Sequence, residues 1–259
     1  MKYKTKQLVD RFSEIISSWE GVDCITLNEA ALADILDPYF ALILDVFYSA
    51  PIPDAEQRSA LYGSDISVFE SSAQGDKDRF LIGNVPVRFE FKKTKKIEEV
   101  VSIASDKHES LWLIRDSGTY TFYRLANCDI IFARSDWIHD IRKQLDNLSD
   151  NFWIVMRSII QSKMEHFLSD FGAACFQGDK FHSFIASAGF IKNACLTLFC
   201  INKHFEPSHR AYFNQVCELP VLPESFVAEF QTFLDNSNSV DMESKFYLAK
   251  LIASKIVML

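Results

Sequence analysis

Apolar residues recur every three or four positions through 6–19, where Leu8, Val9, Phe12, Ile15, Ile16 and Trp19 share one face. That spacing predicts an amphipathic helix, which Gly21 ends. Residues 22–27 read as a short strand. Asn28 is placed to cap a helix over 29–36, stopped by the Asp37-Pro38 pair. The stretch 40–48, FALILDVFY, is almost wholly apolar, as a strand covered on both faces should be, and carries one charge, Asp45. Pro51 and Pro53 close it, and 54–62 reads as a short helix. Residues 63–79 are polar and turn-rich around a short apolar patch. Residues 80–82, the Gly83-Asn84 turn and 86–92 read as a hairpin, with Val87, Phe89 and Phe91 on one face and Arg88, Glu90 and Lys92 on the other.

A helix follows over 95–104. Residues 109–148 give a mixed signal, with a strand candidate at 128–132 and a helix at 137–145. From residue 151 the alternation of strands vanishes and helical periods predominate, at 152–171, 180–204, 208–218, 223–235 and 240–258. Gly172, Gly178, Pro207, Pro220, Pro223 and the 236–239 run punctuate them. The expected fold is therefore α+β, with a mixed sheet and flanking helices over 1–148 and an all-helical bundle over 149–259, joined near 146–151.

Composition supports long regular elements. Of 259 residues, 23 are Phe but only 8 are Gly and 7 Pro, so chain breakers are scarce. Apolar residues make up 48% and charged residues 24%, the balance of a globular chain. The six cysteines show no CxxC pair and no zinc-ligand spacing, and Cys195 and Cys200 sit in an apolar run as buried thiols would. The first residues lack the apolar segment of a signal peptide, and no apolar run reads as long enough to span a membrane. The expectation is a cytoplasmic protein without a membrane partner; the sequence does not specify its oligomeric state. A net charge of −8 argues against general nucleic-acid binding. The local run Lys92, Lys93, Lys95 and Lys96 reads as a solvated helix start.

Two carboxylates stand out. Asp45 lies in an apolar strand near its C-terminal end, where an unpaired charge would be costly and where ligands of α/β sheets collect. It also fits an ion-paired residue at a strand end. Glu90 sits on a strand expected beside that of Asp45, and two such carboxylates on one rim suit Mg²⁺, a hard cation with oxygen ligands. Pairing of Glu90 with Arg88 or Lys92 is the other reading. Among weaker patterns there is no GxSxG, no phosphate-binding GxxxxGK and no GxGxxG, and His166 and His182 stand alone.

The order of helix, strand, short helix, acidic strand, intervening segment, second acidic strand and further helix resembles the DNA polymerase β-like nucleotidyltransferase superfamily. Members of that superfamily carry a Gly-Ser pair after the first strand, an Asp-x-Asp or Asp-x-Glu pair on the next, and a third acid on a later strand. These acids hold metal ions and the nucleotide triphosphate. By position, Asn28-Glu29 fall where Gly-Ser is expected, Ile43 replaces the first acid, Asp45 matches the second and Glu90 the third. The resemblance implies that Asp45 and Glu90 serve as catalytic and Mg²⁺-binding residues, with a degenerate motif.

A second match by spacing alone joins Gly63-Ser64 to Asp76 and Asp78. It lacks an apolar strand before Asp76 and has Lys77 where a buried residue belongs. The segment 184–234, with Asn193, Asn202, Lys203, Pro207 and Tyr212, looks like the helical domain of antibiotic-type nucleotidyltransferases. The resemblance thus implies a protein binding a nucleotide or phosphorylated small molecule in a cleft between its domains. Lys77, Arg79 and Arg88 are the candidate phosphate-binding residues, with feeble or absent nucleotidyl transfer. The alternative is a non-catalytic interaction or regulatory protein.

Overall fold

The computed structural model describes residues 3–28, 40–113, 119–235 and 241–259. The helix expected at 29–36 lies outside them. Six strands form one mixed sheet: β1 (Val22–Leu27), β2 (Leu42–Tyr48), β3 (Ile66–Ser71), β4 (Lys77–Ile82), β5 (Val85–Lys93) and β6 (Asp129–Ala133), in the order β3-β4-β5-β2-β1-β6. Every neighbouring pair is antiparallel except β2 and β5, which run parallel at its centre. The edge strand β3 falls in the stretch expected to be turn-rich. Its alternation is broken by a bulge between Ser67 and Glu70, and Val68 takes a left-handed φ of 53° there.

One face of the sheet is aromatic. Helix α1 (Tyr3–Ser17) buries Val9, Phe12 and Ile16 against it, and α2 (Ala55–Tyr62) adds Tyr62. The rings of Phe12, Tyr62, Phe80 and Phe89 meet at centroid distances of 5.1–6.1 Å in mostly edge-to-face contacts, a geometry that adds to plain burial. Inside this layer Asp78 is fully buried, and its carboxylate accepts from Arg58 Nε at 2.7 Å, Arg58 Nη2 at 2.8 Å and Tyr62 Oη at 2.8 Å. A buried charge is tolerable only when so matched.

The remaining helices are α3 (Thr94–Asp106), α4 (Tyr120–Asn127), α5 (Trp137–Asp146), α6 (Asp150–Gln177), α7 (Lys180–Ile201), α8 (Tyr212–Cys217), α9 (Phe226–Leu234) and α10 (Met242–Val257). Contacts divide the chain into two compact units: residues 1–103 with 124–147, and residues 104–123 with 148–259. The stretch 104–123 thus sides with the later helices. Phe122 packs against Phe152 and Phe205, and Thr119 Oγ1 accepts from the Glu206 amide at 2.7 Å.

Among the described residues, α6 to α10 contain no strand. Gly172 does not end a helix as expected. It lies within α6, where a side chain would meet the Phe246 ring at 2.7 Å, so the glycine serves packing. The helix ends at Gly178, whose φ of 68° is the left-handed conformation glycine adopts without strain. All six cysteines are free, and burial pushes the Cys200 thiol up to about 12. The expectation that no segment is apolar enough for a membrane needs correction: α7 is long and apolar enough to cross one. Half of it is buried within its own unit, where Phe190, Ala194, Leu198 and Phe199 form the core, so the same composition serves a central helix.

Candidate functional site

The parallel register of β2 and β5 sets Asp45 directly beside Glu90, one step from Leu44 beside Phe89. Because side chains alternate along each strand, Leu44 and Phe89 enter the aromatic core while Asp45 and Glu90 emerge together on the opposite face. Phe47 lies on that same face, under Trp137 of α5 with ring centroids 5.2 Å apart. Asp45 is 1% exposed, the consequence of an acid in an apolar strand with strands on both sides.

Cations surround this pair. Arg124, from α4, straddles the two strands: its Nη2 donates to Asp45 Oδ1 at 2.5 Å and its Nη1 to Glu90 Oε2 at 3.1 Å. Lys92, two residues after Glu90 and so on the same face, donates to Asp45 Oδ1 at 2.8 Å and lies 3.4 Å from Glu90 Oε2. Farther out, Arg88 Nη1 is 3.7 Å and Lys77 Nζ 4.0 Å from Glu90 Oε1. Burial alone would raise the Glu90 pKa, but Arg124, Lys92 and Lys77 outweigh it and bring it down to about 2. Among the described residues, four cations thus face two carboxylates.

The structure brings together most of the residues singled out from sequence. Asp45 and Glu90 converge, and Lys77 and Arg88 converge on Glu90. Arg79 pairs with Arg88 in the β4–β5 register and is exposed at the rim. Lys92 is not the solvated residue expected of a lysine run, because strand alternation turns it onto the acid pair. Arg124 was missed altogether. It lies in the stretch of mixed signal, and nothing in its local spacing points to an acid 79 residues earlier.

Ile43, in the place of the family's first acid, stands opposite Arg88 in the register. Asn28 is buried and its amide donates to Ile43 O at 2.9 Å, while Glu29 lies outside the described residues. The second spacing match dissolves. Asp78 points into the aromatic core, and Asp76 accepts from Ser72 Oγ at 2.6 Å before β4 begins. Of the residues carrying the likeness in the helical half, Asn202 clips the chain at Val221 through two bonds of 2.8 Å, Lys203 pairs with Asp150 at 2.7 Å and Tyr212 donates to Glu206 at 2.6 Å. These are contacts that hold the helical unit together.

A divalent cation fits this arrangement poorly. Mg²⁺ demands about six oxygen ligands near 2.1 Å. Among the described residues no group of three or more His, Cys, Asp or Glu side chains could hold a metal ion. Asp45 Oδ2 is buried without a hydrogen-bond partner among the described residues. Asp45 Oδ1 and Glu90 Oε2, however, already face guanidinium and ammonium groups that would repel a second cation.

No family model matches the chain, and no curated protein matches it. Among solved structures, the chain is similar to a nucleotidyltransferase-like protein from Exiguobacterium sibiricum 255-15. The two share 12% identity with a TM-score of 0.50, over 98% of this chain and 74% of the other. At that identity the likeness concerns fold alone. It supports a nucleotidyltransferase-like arrangement of a mixed sheet with helices followed by a helical region.

Proposed function

We propose that this chain binds a phosphate-bearing small molecule, a nucleotide or another phosphorylated compound, on the Asp45–Glu90 face of its sheet, without Mg²⁺ and without nucleotidyl transfer. The observation that carries this reading is the placement of Lys77, Arg88, Lys92 and Arg124 around the two carboxylates that a nucleotidyltransferase would use for metal. Arg124 and Lys92 take the role of the cations, holding the negative charge internally. Lys77 and Arg88 are longer than hydrogen-bonding distance from Glu90, so their N–H groups remain available to an incoming anion. Arg79 adds a further charge at the rim. Phosphate oxygens accept strong, charge-assisted hydrogen bonds from such groups.

Transfer chemistry has less support. In-line displacement at a nucleotide phosphorus is ordinarily served by two metal ions held by several carboxylates. Here Ile43 removes one acid, and Asp45 and Glu90 are engaged by protein cations.

The test is calorimetric titration with ATP, with and without Mg²⁺, beside an assay for pyrophosphate release across a broad panel of hydroxyl acceptors. Binding that does not require Mg²⁺, no pyrophosphate release, and at least a roughly tenfold weaker affinity in Lys77→Glu/Arg88→Glu, equivalent to about 1.4 kcal/mol, are expected. Mg²⁺-dependent pyrophosphate release lost in Asp45→Asn would overturn the proposal and restore an active transferase.

A second reading, a non-catalytic interaction protein, draws on a different observation. Phe176, Phe181 and Phe184 are 94%, 76% and 70% exposed at the junction of α6 and α7, and large contiguous apolar patches on a surface mark contact sites. Failure to bind any nucleotide would favour it.

A further inference from the structure

The centre of the sheet offers a second place for a ligand, separate from the acid pair. Strands β2 and β5 are parallel neighbours, yet the chain leaves their C-terminal ends toward opposite faces. From β2 it passes into α2, whose Arg58 and Tyr62 join Asp78 and Phe80 on the aromatic face. From β5 it passes directly into α3, on the other face. There Glu98 accepts from the Trp137 indole at 2.8 Å, and Trp137 covers Phe47. Two parallel strands whose connections diverge in this way cannot close the gap between their ends, and ligands of open α/β sheets collect in that crevice.

A cavity of about 720 Å³ lies there, lined by both connections, with Tyr48, Pro51 and Pro53 on the β2 side and Lys93 and Lys95 on the β5 side. Its volume falls in the range of small-molecule sites.

The charges decide what would enter. Arg58 also borders the cavity, but its guanidinium is committed to Asp78, Pro53 O and Gly75 O. Asp54 accepts from the Gln57 amide at 2.9 Å as the cap of α2. Among the described residues, Lys93 and Lys95 make no hydrogen bond or ion pair. Set against the exposed Asp54 carboxylate, the two lysines leave the charge bordering the cavity net positive, beside an apolar wall of two prolines and the Tyr48 ring. We infer that this crevice binds a phosphate-bearing small molecule at Lys93 and Lys95, independently of the Asp45–Glu90 face.

Titration of the ¹⁵N-labelled full chain with inorganic pyrophosphate, followed by amide chemical shifts, tests this inference. Saturable shifts at Gln74, Thr94 and Lys95, all of which line the cavity, are expected, weakened at least roughly tenfold in Lys93→Glu/Lys95→Glu and also weakened in the milder Lys93→Gln/Lys95→Gln. Both lysines are exposed, so well-dispersed spectra should confirm that the variants fold. The same shifts should persist in Lys77→Glu/Arg88→Glu. Absence of shifts at those three amides under a large excess of pyrophosphate, or shifts indifferent to the Lys93 and Lys95 substitutions, would overturn the inference. Shifts confined to the Lys77 and Arg88 region would overturn it too, while leaving the proposed function intact.

Discussion

At Asp45 the chain places a carboxylate where the surrounding strand offers only apolar neighbours, and Arg124 and Lys92 make that position tolerable. Removing one partner of a buried ion pair leaves the other charge uncompensated. Arg124→Met should therefore lower stability by about 3 kcal/mol, whereas Asp45→Asn/Arg124→Met should recover part of that loss. Urea unfolding of the two single variants and the double, read as a thermodynamic cycle, measures the coupling. Additive losses would contradict it.

Glu90 supplies a pH signature. Its pKa is about 2 in the folded chain against an ordinary 4.5, so the folded state binds fewer protons between those values. Its contribution, on the order of 3 kcal/mol from the size of the shift, is fully present above pH 4.5 and fades as the pH falls toward 2. The stability difference between the wild type and Glu90→Gln should shrink over that acid range and stay constant above it. A difference independent of pH would mean that the surrounding cations do not depress the Glu90 pKa.

At the scale of elements, packing determines where helices end and how near they come. On α7, Gly189 faces Phe167 of α6, and a methyl group there would lie 2.4 Å from a ring carbon. Alanine improves helix propensity by about 1 kcal/mol, but overpacking costs about 1–3 kcal/mol, and so severe a contact puts packing ahead. Gly189→Ala should lower the thermal midpoint, and Phe167→Leu should relieve the added loss in the double variant; a midpoint that rises in Gly189→Ala would show the ring moving aside freely.

Most elements were legible in periodicity. α1, β1, β2, the β4–β5 hairpin and the succession of later helices fall close to their expected places. The bulged edge strand β3 was hidden because its alternation is broken, and α4 because it lies within the 109–148 stretch, where strand and helix signals mix. The candidate site follows the same division. Strand alternation showed Arg88, Glu90 and Lys92 on one face, and a lone charge in an apolar strand pointed to Asp45. The interaction that most changes the chemistry, Arg124 across both strands, depends on tertiary contact alone.

Over the whole molecule, sequence position and structural membership part company. Residues 104–123 belong with the helices that begin at 148, so a cut at the apparent junction near 148 would separate Phe122 from Phe152 and Phe205. Phe122 is 1% exposed, and Phe122→Ala should destabilise by about 3–5 kcal/mol. Hydrogen exchange would report faster opening of amides in α6 and α8; if those amides were unaffected, 104–123 would not be integral to the helical unit.

Sheet order carries a consequence for how the chain is made. β1 pairs with β6 about a hundred residues later, and Arg134 Nε donates to Val22 O across 112 positions. A ribosome adding about 5–20 residues per second thus leaves the β1 edge, with Cys24, Ile25 and Leu27, uncovered for several seconds after β2 has emerged. For that interval the nascent chain presents an apolar strand edge of the kind that chaperones shield and neighbouring chains capture. The late arrival of five residues, Asp129–Ala133, is what closes it.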